Sequence, residues 1–185
     1  MKTTIFIVFS IFLTTRISAQ DKYFTKSGKI LFKCTKSTVE KVEAANKSAT
    51  CVLDAKTGNM QFAVLMMGFE FPKALMQEHF NENYVESHKF PKGEFKGHVI
   101  NNTEINYTKD GVYPAKVKGE LSIHGVTREV ETSGNISVKK GKIGAIADFI
   151  IQLSDFSISI PSLVSDKISN TVSINVECVL EPLKI

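Results

Sequence analysis

The sequence predicts an all-β protein, a sandwich or barrel of short strands with a single short helix laid on it. Three observations carry this. Runs of about 6–12 residues alternate apolar and polar side chains, as half-buried strands do. Clusters of Gly, Asn, Lys and Ser separate the runs at the spacing expected of sandwiches and barrels. One stretch alone, residues 72–84, carries a helical period. The composition agrees. Of 185 residues, 43% are hydrophobic and 23% charged, the balance of a globular chain rather than a disordered one. The length suits one domain.

The first segment lies outside that fold. Lys2 gives a positive start, residues 5–13 (IFIVFSIFL) are apolar except for Ser10, and Ile17-Ser18-Ala19 ends in a small residue. This is the pattern of a secretory signal peptide, and nine apolar residues are too few to cross a bilayer. The expected organisation is a signal peptide over 1–19 and one domain over 20–185. Export to the periplasm or the exterior follows. Lys2 and Arg16 leave with the signal, so the net charge of +4 falls to +2. No later apolar run reaches the ~20 residues of a spanning helix, so the mature chain is expected not to span a membrane.

The strands follow in order. Ile30, Phe32 and Cys34 alternate with Leu31, Lys33 and Thr35, and a second run covers 49–54. Lys56-Thr57-Gly58-Asn59 is turn chemistry. Residues 60–67 (MQFAVLMM) are apolar on both faces except Gln61, as in a strand covered on both sides. Phe95, Gly97 and Val99 alternate next, then Ala115, Val117, Leu121 and Ile123. Runs over 126–138 and 143–153 are broken at Lys139-Lys140-Gly141, and 171–180 is the cleanest alternation. In the helical segment, Pro72 stands where a helix start tolerates its missing N–H. Met76, Phe80 and Tyr84 then form one apolar stripe at i, i+4, i+8, opposite Gln77, Glu78, Asn81 and Glu82. A second helical or irregular piece is expected near 161–165.

Catalytic and metal signatures are missing. There is no G-x-S-x-G, no H-E-x-x-H and no phosphate-cradling or dinucleotide loop. His79, His88, His98 and His124 are never within four residues of one another, so no metal site and no cofactor are expected. Glu78 and Glu82 share a helix face, which solvation explains. The basic tip Lys139, Lys140, Lys142 lacks interleaved aromatics, which argues against nucleic acid. Three cysteines are an odd count for an exported chain. Cys34 and Cys51 sit in neighbouring strands whose bend falls near Val42 and Glu43, so a disulfide between them is open beside plain burial; Cys178 reads as core. N-x-S/T sites begin at Asn46, Asn101, Asn106 and Asn135.

What remains is an apolar excess. Met60, Met66 and Met67 lie beside Phe62, Phe69 and Phe71. Methionine adapts to irregular space, in packed cores and around varied ligands alike. An eight-stranded barrel has an interior that is either just filled or able to hold one small ligand.

Three stretches resemble the YceI-like family, exported lipocalin-like proteins associated with polyisoprenoid binding. Residues 119–130 (GELSIHGVTREV) are similar to the family's G-x-L-T-[IL]-x-G-V-[TS]-[KR]-x-V strand–turn–strand, with Ser122 in place of Thr. Residues 80–95 (FNENYVESHKFPKGEF) resemble its helix, aromatic–Pro step and following strand. Residues 154–158 (SDFSI) resemble its R-S-D-F-G-[IV], with Leu153 where that motif has Arg and Ser157 where it has Gly. The usual opening motif is matched only loosely around 36–39.

The resemblance implies an antiparallel lipocalin-like β-barrel of about eight strands, with the helix around 72–84 on or across it. It implies a non-enzymatic protein that carries or sequesters an isoprenoid or quinone-like lipid, and it transfers no catalytic residue. The apolar lining is expected from Met60, Phe62, Val64 and Met66 on one strand, Phe69 and Phe71 after it, and Met76 and Phe80 on the helix. Phe95, Leu121, Phe149 and Phe156 complete it. A slip of one residue would turn any of these strands inside out. A homodimer is left open. The competing readings are a filled barrel acting as an exported stress-related or protein-interaction module, and an enzyme on a lipid-like substrate, for which no nucleophile–base pair is visible.

Overall fold

A computed structural model describes residues 21–35 and 41–183. The signal segment 1–19 and the loosely matching stretch 36–39 fall outside the described residues. Eight strands make one closed antiparallel barrel in sequence order: β1 (Lys22–Thr35), β2 (Glu43–Asp54), β3 (Asn59–Leu65), β4 (Lys92–Val99), β5 (Gly111–Ile123), β6 (Val126–Lys139), β7 (Lys142–Gln152) and β8 (Ile168–Pro182). Strand β8 pairs back onto β1, with Ile30 opposite Val176 and Phe32 opposite Ile174, so every strand has two neighbours. Closure removes the free edges that an open sheet would present.

Turn chemistry fixes the register. His124 (φ 52°) and Gly125 (φ 74°) are both left-handed, and so are Lys140 (φ 52°) and Gly141 (φ 75°). Two left-handed residues in a row make the tight hairpin turn whose twist matches the flanking strands. Ile123 therefore faces Val126, and Lys139 faces Lys142. From there the alternation sets the inward faces: Ala115, Val117 and Leu121 on β5, Ala145, Ala147 and Phe149 on β7, Val172, Ile174, Val176, Cys178 and Leu180 on β8. On β5 and β6 the other parity carries Lys116, Lys118, Glu120, Glu129 and Glu131, and Lys118 Nζ meets Glu129 Oε1 at 3.0 Å.

The helical segment differs from its expected form. The helix α1 (Ala74–His79) starts two residues after Pro72. Its last turn widens into a π-turn over Phe80–Tyr84, closed by the Val85 N–H donating to the Phe80 carbonyl at 2.9 Å. The Met76, Phe80 and Tyr84 stripe still faces the barrel mouth. The expected irregular piece near 161–165 is a single 3₁₀ turn, Ser162–Val164.

The hairpin of β1 and β2 decides the cysteine question. Cys51 is opposite Thr25, whereas Cys34 donates its N–H to the Val42 carbonyl at 3.0 Å. Nine residues of strand, roughly 30 Å at about 3.3 Å per residue, separate the two levels, so a Cys34–Cys51 disulfide is excluded by register. All three cysteines are free and buried. Cys51 instead shares a cluster with Cys178. A hydrogen bond with Cys178, and then burial, raise the pKa of the Cys51 thiol; burial pushes that of Cys34 up to about 11. Asn46, the first of the four sequon asparagines, is fully buried, with its side chain bonded to the Leu65 carbonyl and to Ser48. It serves the fold, and a glycan could not reach it.

Candidate functional site

Two apolar clusters divide the interior along the barrel axis. The lower one lies at the end carrying the turns 55–58 and 140–141. There Leu53, Ile143 and Leu180 are fully buried, with Tyr23, Met60, Val99, Ala115 and Ile136 around them. The 99–111 connection folds across this end and buries Ile105 and part of Tyr107. The Tyr107 hydroxyl donates to Asn102 Oδ1 at 2.8 Å, and burial pushes its pKa up to about 12. The upper cluster lies under α1 and the loops, and includes Met66, Phe69, Val85, Phe156, Val172 and Ile174.

Above the lower cluster the barrel is hollow, and most of the upper cluster lines that hollow. A cavity of about 580 Å³ runs from the mouth at α1 down to Met60, Ala115, Ile136 and Ala145. Its volume falls in the range of about 300–1,000 Å³ typical of small-molecule pockets. At the mouth four phenyl rings pack together. Phe80 lies against Phe32, Phe69 and Phe71 with centroids 5.5, 5.7 and 5.0 Å away, and Phe32 meets Phe69 and Phe71 at 5.4 and 5.7 Å. Lower down, Gly97 faces Gly119 across β4 and β5, and the Phe95 ring lies over both. A Cβ on Gly119 would come within 2.4 Å of Gly97 Cα and 2.8 Å of Phe95 Cζ. Two glycines thus let an aromatic ring lie flat on the wall, which leaves the lumen wider than an upright ring would.

Most of the expected lining residues come together here. Met60, Phe62, Val64 and Met66 face the cavity from β3 and its end, Phe69 and Phe71 from the following loop, and Met76 and Phe80 from the helical segment. Phe95, Leu121 and Phe149 face it from β4, β5 and β7. Phe156 does not. The strand alternation stops at Gln152, and Leu153–Phe156 form a 3₁₀ turn that swings this ring into the upper cluster, where it is 1% exposed. Ile30, Phe32, Val117, Ala147 and Val176, which the sequence alone does not single out as lining, also face the cavity. Their signal was the same alternation, read on the strands where the Phe and Met cluster does not draw the eye. Leu153, at the position where the resembling motif carries Arg, is itself a lining residue.

One polar assembly ties the rim together. The carbonyl of Phe156 can only accept, so His124 Nδ1 donates to it, at 3.1 Å; His124 Nε2 meets Glu86 Oε2 at 3.0 Å. The Phe90 ring stands edge-on to the imidazole, with centroids 4.7 Å apart, and Lys89 Nζ bonds the other Glu86 oxygen. The hydrogen bonds from Lys89 and then His124 hold the Glu86 carboxyl below its ordinary pKa. His124 thus joins the β5–β6 turn, the segment after the π-turn and the β7–β8 loop. Glu86 (φ 44°), His124 (φ 52°) and Ser157 (φ 57°) are all left-handed without being glycine, a conformation that is uncommon for side-chain-bearing residues. Ser157 occupies the place of the motif's Gly, and its positive φ explains that preference.

Among the described residues no group of His, Cys, Asp and Glu is arranged to hold a metal. No described helix is long and apolar enough to cross a membrane.

A family model for the YceI-like domain matches residues 21–180. The fold is similar to solved bacterial structures. A polyisoprenoid-binding domain from Saccharophagus degradans, implicated in plant cell wall breakdown, superposes with a TM-score of 0.77 at 14% identity, over 89% of this chain and 100% of that one. BcnA from Burkholderia cenocepacia gives 0.65 at 15% identity, over 82% and 95%. A YceI protein from Campylobacter jejuni gives 0.51 at 19%, over 97% and 98%. No curated protein matches the sequence.

Proposed function

The chain belongs to the YceI-like family, and from that premise we propose that it binds a long apolar isoprenoid-type lipid inside the barrel and carries or sequesters it after export, without catalysing a reaction on it. The observation that carries this reading is the hollow of about 580 Å³. A barrel serving only as an interaction module has no need to keep its centre empty, because unfilled apolar space costs stability in proportion to its volume. The polyisoprenoid-binding similarity of the Saccharophagus domain adds support for the lipid class.

The energetics set what the cavity can select. A ligand burying ~400 Å² of apolar surface gains ~10 kcal/mol at ~25 cal/mol/Å². Association costs about 4–15 kcal/mol. Useful affinity therefore needs a long chain. One methylene changes binding by only about 1–3 kcal/mol, so the preference is for length and branching over the head group. Leu153 at the mouth removes the charge that the resembling motif would place there, in the same direction.

The test is native mass spectrometry of protein purified without detergent and offered a panel of isoprenoid alcohols and quinones. A bound single-chain lipid is expected. Phe62→Arg, which places a charge in the lumen, should abolish uptake while circular dichroism stays that of the parent. A protein that remains empty across the panel overturns the reading.

A further inference from the structure

Resting on that carrier reading, we propose that the lumen is a blind tube that gauges chain length. It admits one isoprenoid chain tail-first and buries about four isoprene units, and the rest of a longer chain stays outside.

The geometry of the lower end supplies the argument. The cavity stops at Met60, Ala115, Ile136 and Ala145. Directly beneath, Leu53, Ile143 and Leu180 are 0% exposed, so the tube has no exit at that end. The volume of about 580 Å³ holds on the order of 20 carbon-sized groups at ~30 Å³ each, the share of one water in the liquid. Twenty carbons are four isoprene units. The direction of entry follows from polarity. The Thr132 hydroxyl lines the cavity, but it is already engaged with the Ser133 and Asp148 carbonyls at 3.3 and 3.2 Å. With that one hydrogen taken, Thr132 offers a phosphate no donor and a hydroxyl only an acceptor, too little to replace the water a buried head would lose, so the head stays at the mouth.

The register names the residues that set the gauge. Ala115 faces Gly134 across β5 and β6, and Gly134 faces Ala147 across β6 and β7. This row of small residues makes one wall of the lower tube. Ala147 therefore stands where added bulk takes space from the chain tip and not from the packed plug below. Replacing its methyl by a benzyl group adds six carbons, slightly more than one isoprene unit.

The experiment is calorimetric titration of linear isoprenoid alcohols of two, three, four, six and eight units against the full chain. Affinity is expected to rise by about a hundredfold to a thousandfold per unit up to four, as apolar burial of five carbons predicts, and by less than twofold beyond. In Ala147→Phe the rise should stop at three units. Ala147→Leu, a milder change with less risk to folding, should lower affinity for the four-unit chain and leave the two-unit chain unaffected. Ile150→Phe, on the outer face of the same strand and already 65% exposed, should behave as the parent. Affinity that keeps climbing through eight units, or Ala147 variants that track the parent, overturns the gauge and leaves the carrier reading standing. Failure of every chain length to bind overturns both.

Discussion

The two ends of the barrel are built from the same strands and the same inward alternation, yet one is solid and the other hollow. At the lower end Leu53, Ile143 and Leu180 meet across the axis. Half a strand higher, Ala147 and Val176, neighbours on β7 and β8, line open space together with Phe95 on β4. Alternation decides only which side chains point inward. Whether they touch depends on their bulk, on glycines such as Gly97 and Gly119 that let a ring lie flat, and on what caps the end. The 99–111 connection folds into the lower end, while α1 and the phenyl cluster stand around the upper one.

The sharpest way to break this contrast is to truncate one residue in each region of the same strand. Leu180→Ala should cost about 2–5 kcal/mol, because it removes burial and leaves a void among side chains that cannot follow. Val176→Ala, four residues away and facing the lumen, should cost no more than about 1 kcal/mol, since it enlarges a space that already exists. Urea unfolding of both variants measures the difference. Equal losses would mean that the middle of the barrel is as densely packed as its base.

A second test addresses the rim. His124→Ala removes two hydrogen bonds and leaves the Phe156 carbonyl and the Glu86 carboxylate without that partner, a loss of about 1–3 kcal/mol. Local hydrogen exchange should quicken in 80–90 and 153–158, with the lower strands unaffected. Acid should act on the same tie. Because Lys89 and His124 lower the Glu86 pKa in the folded protein, its contribution is fully present above the ordinary value of 4.5 and is lost as the pH falls below that towards the folded value. Thermal melts between pH 6 and 3 should show this decline, and Glu86→Gln should flatten that part of it. The smallest effect expected concerns the thiols. With Cys34, Cys51 and Cys178 buried and the first two raised in pKa, native protein at pH 8 should resist alkylation, and denatured protein should take up three labels without reduction.

Much of this architecture was legible in the residues, and the exceptions have physical causes. Strand β8 declares itself because Val172, Ile174, Val176, Cys178 and Leu180 alternate with polar neighbours. The first half of β1 does not, since Thr25-Lys26-Ser27-Gly28 is a polar run. The structure puts register shifts on either side of Gly28 and buries Thr25 all the same. The pairing of Cys34 with Cys51 is open in the sequence because proximity of two strands along the chain says nothing about their level along the hairpin. Phe156 lies in the 154–158 stretch that resembles the family motif, and nothing in that resemblance says that the backbone there leaves the strand for a 3₁₀ turn. His124 carried no local signal at all. Its partners Glu86 and Phe156 lie 38 and 32 residues away, and only the closed barrel brings them to one place. The lumen itself was readable as an apolar excess; its emptiness was not, because volume is a property of the assembled wall.

The sealed base has a consequence for traffic. On the proposed carrier reading, a chamber with a single doorway brings whatever hands over a guest and whatever collects it to the same rim, in turn. The four phenyl rings packed at that rim would then stand on the path of every exchange.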